Sequence, residues 1–173
     1  MKLRSAIFVV VLLLLTVTVC AAQSPMGFSP ESFYNQFMLY VVLVERPATP
    51  ADLPETSFDP GDEENGALMT VNDLDFISLT YSGDEVTEIN QTFNLADNDK
   101  GARSAWVDVL LIFLTLETMS DERSSGIIDS DGLKEQVYTL SEEGKTEYCG
   151  YHFKLTIEGE GDAAAAVIQI TKK

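Results

Sequence analysis

Alternating apolar and polar positions predict two antiparallel β-hairpins in this chain. A period of two places every second side chain on one face of a strand, against a core. The first hairpin surrounds the turn sequence at 82–85, with alternating positions Ile77, Leu79, Tyr81, Ile89, Gln91 and Phe93. The second surrounds a glycine-rich turn at 159–162, with Tyr151, Phe153, Leu155, Ile157, Ala164, Ala166, Ile168 and Ile170. Residues 68–71 and 136–140 predict two further short strands.

A first helix is predicted from Ser29, where serine suits the N-cap, Pro30 the first turn and Glu31 the positive end of the helix dipole. Its β-branched and aromatic second half leaves an extended conformation open, and Pro47 ends it in either case. Apolar residues follow at helical spacing: Phe33, Phe37, Tyr40, Val41 and Val44.

A second helix is predicted at about 100–119, with N-cap candidates at 97–99. Apolar residues surround nearly its whole circumference, which is typical of a buried helix. Asp108 interrupts them, and a carboxylate in that setting needs a partner or a position at an edge.

Residues 46–66 contain four prolines and end in an acidic run, which predicts a long, disordered surface loop without secondary structure of its own. The predicted fold class is therefore α+β, with two helices packed on antiparallel β-hairpins. The order of elements suggests a tandem αβββ duplication with halves near 29–95 and 100–173, although no residue-by-residue repeat accompanies it.

The first 22 residues have the pattern of a secretory signal. Lys2 and Arg4 precede an apolar run from Ala6 to Leu15, and small residues around Cys20 to Ala22 offer a cleavage site. Cleavage after Ala22 would leave a domain of residues 23–173. Two alternatives are an uncleaved anchor, for which the apolar run is short, and lipidation at Cys20, for which Val19 is an unusual preceding residue.

The domain left by that cleavage has nine Lys and Arg against 28 Asp and Glu, a formal net charge of −19. Such a surface disfavours nucleic acid and anionic lipid as partners. With Cys149 its only cysteine, it forms no internal disulfide. We expect Cys149 to be a small buried residue within a strand, on the opposite face from His152.

No cofactor, metal-binding or catalytic residue is assigned. The acidic runs at 97–101 and 129–132 fail the spacing of an EF-hand loop and suit a helix cap and a turn better. One histidine and one cysteine cannot complete a zinc site, and no nucleophile-elbow or phosphate-loop motif is present.

These observations predict an exported, non-catalytic domain that binds a protein or a component of the cell envelope. The exposed hairpin faces or the loop at 46–66 would be its contact surfaces. The alternative is a small extracytoplasmic hydrolase that uses paired carboxylates, in which Asp108 is the first acid to consider.

Overall fold

The computed structural model describes residues 23–45, 57–59, 67–72, 75–94, 98–120, 130–159 and 164–173. The predicted signal segment with Cys20, most of the loop at 46–66 and part of the turn at 159–162 lie outside these residues. The described residues form an α+β fold with three helices and one seven-stranded antiparallel sheet. The predicted fold class is confirmed, with one helix more than the two expected.

The sheet has the strand order β1-β2-β3-β4-β7-β6-β5, and every neighbouring pair is antiparallel. The helices are α1 (Pro30–Glu45), α2 (Asn98–Met119) and α3 (Ser130–Glu143). The strands are β1 (Ser57–Asp59), β2 (Ala67–Asn72), β3 (Asp75–Ser82), β4 (Glu85–Asn94), β5 (Lys145–Tyr148), β6 (Tyr151–Glu158) and β7 (Ala165–Lys172). Both predicted hairpins are present, as β3–β4 and β6–β7, and β2 confirms the strand predicted at 68–71.

The core lies between the helices and one face of the sheet. One row of that face crosses five strands and contains Met69, Ile77, Gln91, Ile168 and Leu155. The predicted burial of α2 is confirmed, since five of its apolar side chains are at most 1% exposed: Val109, Leu111, Ile112, Phe113 and Leu116. Residues 30–45 of α1 are all helical, so the extended alternative for its second half is wrong. In that half Val41 is buried at 1% exposure, whereas four apolar side chains, including the predicted Val44, are 40–56% exposed: Leu39, Val42, Leu43 and Val44.

The strand order does not repeat one αβββ unit twice, and the tandem duplication stays a prediction. Four strands, β1 to β4, follow α1 in one unit, whereas three strands, β5 to β7, follow α3 in the other, and the units meet where β4 pairs with β7. The sequence pattern assigned the helix at 100–119 to the second unit. In the structure that place belongs to α3, and α2 connects the two units.

The strand predicted at 136–140 is wrong, because these residues lie within α3. Leu133 and Leu140 are 2% and 0% exposed, and with Val137 they form a stripe at helical spacing that packs toward the core. The helix ends at Glu143. Gly144 follows it, with a φ of +71° that suits glycine, and its N–H donates to the Leu140 carbonyl at 3.0 Å.

Part of the loop predicted at 46–66 also differs from the expectation, because Ser57–Asp59 forms the edge strand β1. Phe58 is opposite Met69 of β2, and its ring stacks on that of Tyr34 in α1 with centroids 4.8 Å apart. This aromatic contact offsets the conformational entropy that is lost when these three residues, which have no strong strand pattern of their own, become ordered.

The segment Gln23–Phe28 is part of the folded domain. Met26 N–H donates to the Val86 carbonyl at 2.7 Å, and Val86 N–H donates to the Phe28 carbonyl at 2.9 Å. The Met26 and Phe28 side chains are 3% and 7% exposed. The pairing of β4 with β7 stops at Glu88, which is opposite Thr171. The segment at 23–28 bonds to β4 two residues earlier, at Val86, and so continues the backbone pairing of β4 where β7 no longer contacts it.

Candidate functional site

Helices α2 and α3 pack side by side and leave between them a groove of about 490 Å³, which we call the α2–α3 groove. The residues that line the groove are Trp106, Val107 and Leu110 on α2, and Lys134, Val137, Tyr138 and Ser141 on α3. All of them except Lys134 and Ser141 are apolar or aromatic.

Two aromatic side chains dominate the groove. Tyr138 is 66% exposed, the largest exposure among the large hydrophobic residues found exposed. Trp106 is half-buried, and its ring packs edge-on against Phe93 of β4, with centroids 6.0 Å apart and planes at 65°. Tyrosine and tryptophan contribute disproportionately to binding energy where they meet a partner. The groove therefore combines one positioned aromatic ring with one that is accessible.

The exposed side of α3, one wall of the groove, is acidic. All five charged residues of α3 are exposed, and four of them are acids: Asp131, Lys134, Glu135, Glu142 and Glu143. The single cation, Lys134, already forms an ion pair with Asp131 at 3.5 Å. The exposed side of α3 thus presents uncompensated negative charge on either side of Tyr138, from Glu135 and Glu142.

The face of the sheet away from the helices is mainly polar, with Leu68 and Phe76 as exposed apolar side chains. Near its centre the Glu88 carboxylate accepts hydrogen bonds from Asn90 Nδ2 at 2.5 Å, from Gln169 Nε2 at 2.9 Å and from Gln23 Nε2. This cluster links β4, β7 and the segment at 23–28. Because its acceptors and donors are already engaged with each other, it has the character of a structural network.

A second charged cluster lies beside the edge strand β5. Glu147 contacts His152 Nδ1 at 3.1 Å and Lys173 Nζ at 2.9 Å. The hydrogen bond from Lys173 is the main reason that the pKa of Glu147 lies below its usual value. Glu147 and His152 also line a cleft of about 660 Å³ between α3 and the β5–β6 hairpin. Both side chains are about half exposed, so the cluster is a solvated ion-pair network.

The prediction for Cys149 is wrong, because this residue lies in the turn between β5 and β6 and is half-buried. Cys149 and Gly150 have φ angles of +49° and +80°, as the two central residues of a type I′ turn require. The Cys149 carbonyl accepts a hydrogen bond from Ser120 Oγ at 3.0 Å. Cys149 and His152 therefore do not lie on opposite faces of one strand, contrary to the expectation from the sequence. His152 lies on β6 and contacts Glu147.

Asp108, the acid that the sequence singled out, is 5% exposed and interacts with another group of the protein. It is not among the residues that line the four clefts formed by residues 139–155, by the turn at 149–150, by the start of α1 and by the α2–α3 groove.

The two acidic runs weighed as calcium loops lie at helix starts. Asn98 begins α2 and Ser130 begins α3, while Asp97 and Asp129 lie outside the described residues. Within the described ranges, no three histidine, cysteine or acidic side chains are grouped as a metal site would require. No described helix combines the length and hydropathy needed to cross a membrane.

The sequence pattern did not reveal the α2–α3 groove, because one of its walls is the helix that was interpreted as a strand. The spacing of Leu133, Val137 and Leu140 was the signal that could have found it. Comparisons of the chain with protein-family models, with curated proteins and with solved structures gave no match.

Proposed function

We propose that this protein is an exported, non-catalytic binding domain, and that its α2–α3 groove receives an apolar segment of a partner protein. The observation that carries the proposal is the exposure of Tyr138, at 66%, beside the half-buried ring of Trp106 in a mainly apolar groove. Sites of protein recognition combine such aromatic anchors with a polar surround. The buried position of Asp108 gives the hydrolase alternative no support.

Export rests on the signal pattern of residues 1–22, and the fold is compatible with cleavage after Ala22. Such a cut retains Gln23–Phe28 and hence both hydrogen bonds to Val86. Lipidation at Cys20 would leave only a short tether before the buried Met26. The intact mass of the protein from its native host distinguishes cleavage, acylation and an uncut chain, and an uncut chain would overturn the proposal of a released domain.

Site-specific photo-crosslinking in the native host tests the groove. A benzophenone side chain replaces Val107, which is 37% exposed in the groove, or Phe76, which is 41% exposed on the opposite face of the sheet. We expect one discrete protein adduct from position 107, weakened by Tyr138→Ala and not formed from position 76. The absence of an adduct, or the same adduct from both positions, would overturn the proposal.

A further inference from the structure

We infer that the segment recognised by the α2–α3 groove is a basic amphipathic helix of the partner protein. This inference rests on the proposed function and adds the conformation and charge of the bound segment. It comes from the spacing of the residues that line the groove and from the charge around them.

The groove between α2 and α3 has the length and shape to receive a helix of the partner protein. On α3 they recur at intervals of three and four positions from Lys134 to Ser141, and on α2 from Trp106 to Leu110. They therefore extend over two turns of helix, about 10 Å along the axis of α3. A partner helix with apolar residues at i, i+3 or i+4, and i+7 would place two or three side chains along this length.

The exposed carboxylates of α3 favour a positively charged partner helix. Glu135 and Glu142 are exposed one turn before and after Tyr138, whereas Lys134 is paired with Asp131. The whole chain has a formal net charge of −17. Lysine or arginine flanking the apolar stripe of the partner would meet these carboxylates, while a second copy of this chain or an anionic membrane would be repelled.

Trp106 provides a direct reporter, because it is the only tryptophan of the chain and lines the groove. The probes are two 14-residue helical peptides with leucine on one face and either lysine or glutamate on the other. We expect the leucine/lysine peptide to shift Trp106 emission saturably and to bind at least tenfold more tightly than the leucine/glutamate peptide. Its affinity should fall as salt is raised from about 50 to 500 mM.

Matched variants separate groove binding from general attraction to an acidic protein. Tyr138→Ala leaves the charge unchanged and should weaken binding of the leucine/lysine peptide about tenfold or more. Ile157→Ala removes another exposed apolar side chain, 54% exposed on β6, and should leave the affinity unchanged. Glu135→Lys combined with Glu142→Lys should reverse the preference between the peptides. Circular dichroism shows that each variant remains folded.

Each contrary result has a distinct meaning. Equal binding of both peptides would overturn the inferred charge and leave the proposed function standing. An unchanged affinity in Tyr138→Ala would show that binding occurs outside the groove and would overturn the inference. An emission shift with anionic lipid vesicles but with neither peptide would also overturn it, in favour of a membrane surface. The photo-crosslink from position 107 tests the proposed function separately, because its failure to form would overturn the groove as a binding site whatever the peptides show.

Discussion

The ring of Phe113 stacks on that of Phe153, with centroids 4.0 Å apart and planes inclined by 7°. Phe113 lies on α2 and Phe153 on β6, and the two side chains are 0% and 1% exposed. Tyr148 of β5 packs against the same face of the helix, with its ring centroid 5.6 Å from that of Phe113. This aromatic cluster fixes α2 over the second half of the sheet, and thereby fixes one wall of the α2–α3 groove.

Phe113→Ala should destabilise the protein by about 3–5 kcal/mol, because it removes a fully buried ring and leaves a cavity beside Phe153. Phe113→Leu retains much of the buried apolar volume and should be less destabilising. Urea unfolding measures both free energies of unfolding. A loss below about 1 kcal/mol for the alanine variant would show that the stack contributes little to stability.

Cys149→Asn should stabilise the protein by about 0.5–1 kcal/mol, because asparagine adopts the left-handed conformation of this turn more readily than cysteine does. The following residue is Gly150, so the substitution creates the Asn-Gly pair that type I′ turns prefer. Cys149→Ala is the matched control, since it removes the thiol without favouring the left-handed conformation. An asparagine variant no more stable than the alanine variant would contradict this account.

Removal of residues 23–28 from a protein that begins at Gln23 should cost more than about 3 kcal/mol, because it removes two buried side chains and two hydrogen bonds to Val86. Removal of residues 23–25 alone should cost less than about 1 kcal/mol, since these three residues are exposed and the hydrogen bond that Gln23 donates to Glu88 lies at the surface. The two truncations are compared by denaturant unfolding. Similar losses in both would mean that Met26 and Phe28 do not stabilise the sheet.

The ionised carboxylate of Glu147 should stabilise the folded protein, and this contribution should disappear at low pH. The folded protein holds the pKa of Glu147 below its usual value of 4.5, chiefly through the hydrogen bond from Lys173. The resulting stabilisation is present above pH 4.5 and is lost as the pH falls through the lowered folded-state pKa. Glu147→Gln should therefore be less stable than the wild type at pH 7, and the difference should shrink in acid. Glu158→Gln, at the exposed end of β6, is the control, and a difference independent of pH would contradict the prediction.

The strands were predictable where one side of each strand faces the core and the other faces solvent, as in Tyr151, Phe153 and their polar neighbours. Helix α2 was predictable from its nearly continuous apolar surface. The segment Gln136–Leu140 misled because valine, tyrosine and threonine favour strands locally, whereas packing of Leu133 and Leu140 into the core favours the helix. Local preference was weaker than tertiary contact at this position.

The turn at Cys149 and the α2–α3 groove were not predictable for different reasons. The sequence Tyr-Cys-Gly-Tyr lacks asparagine or aspartate before the glycine, so its turn is set by the pairing of Tyr148 with Tyr151 across the hairpin. The groove is lined by residues of two helices that are at least 24 positions apart in sequence, and no pattern within either helix specifies how far apart the helices lie in the fold.

The position of β7 has a consequence for the order in which the protein folds. This strand follows the other described strands in sequence, yet it lies between β4 and β6, and Gln169 contacts Glu88 across 81 residues of sequence. Until Ala165–Lys172 has been synthesised, β4 and β6 each present an open edge, and the two halves of the sheet share no strand pairing. A nascent chain therefore cannot complete the sheet before β7 emerges, and a variant that lacks residues 165–173 should expose the edges of β4 and β6 to pairing with other chains.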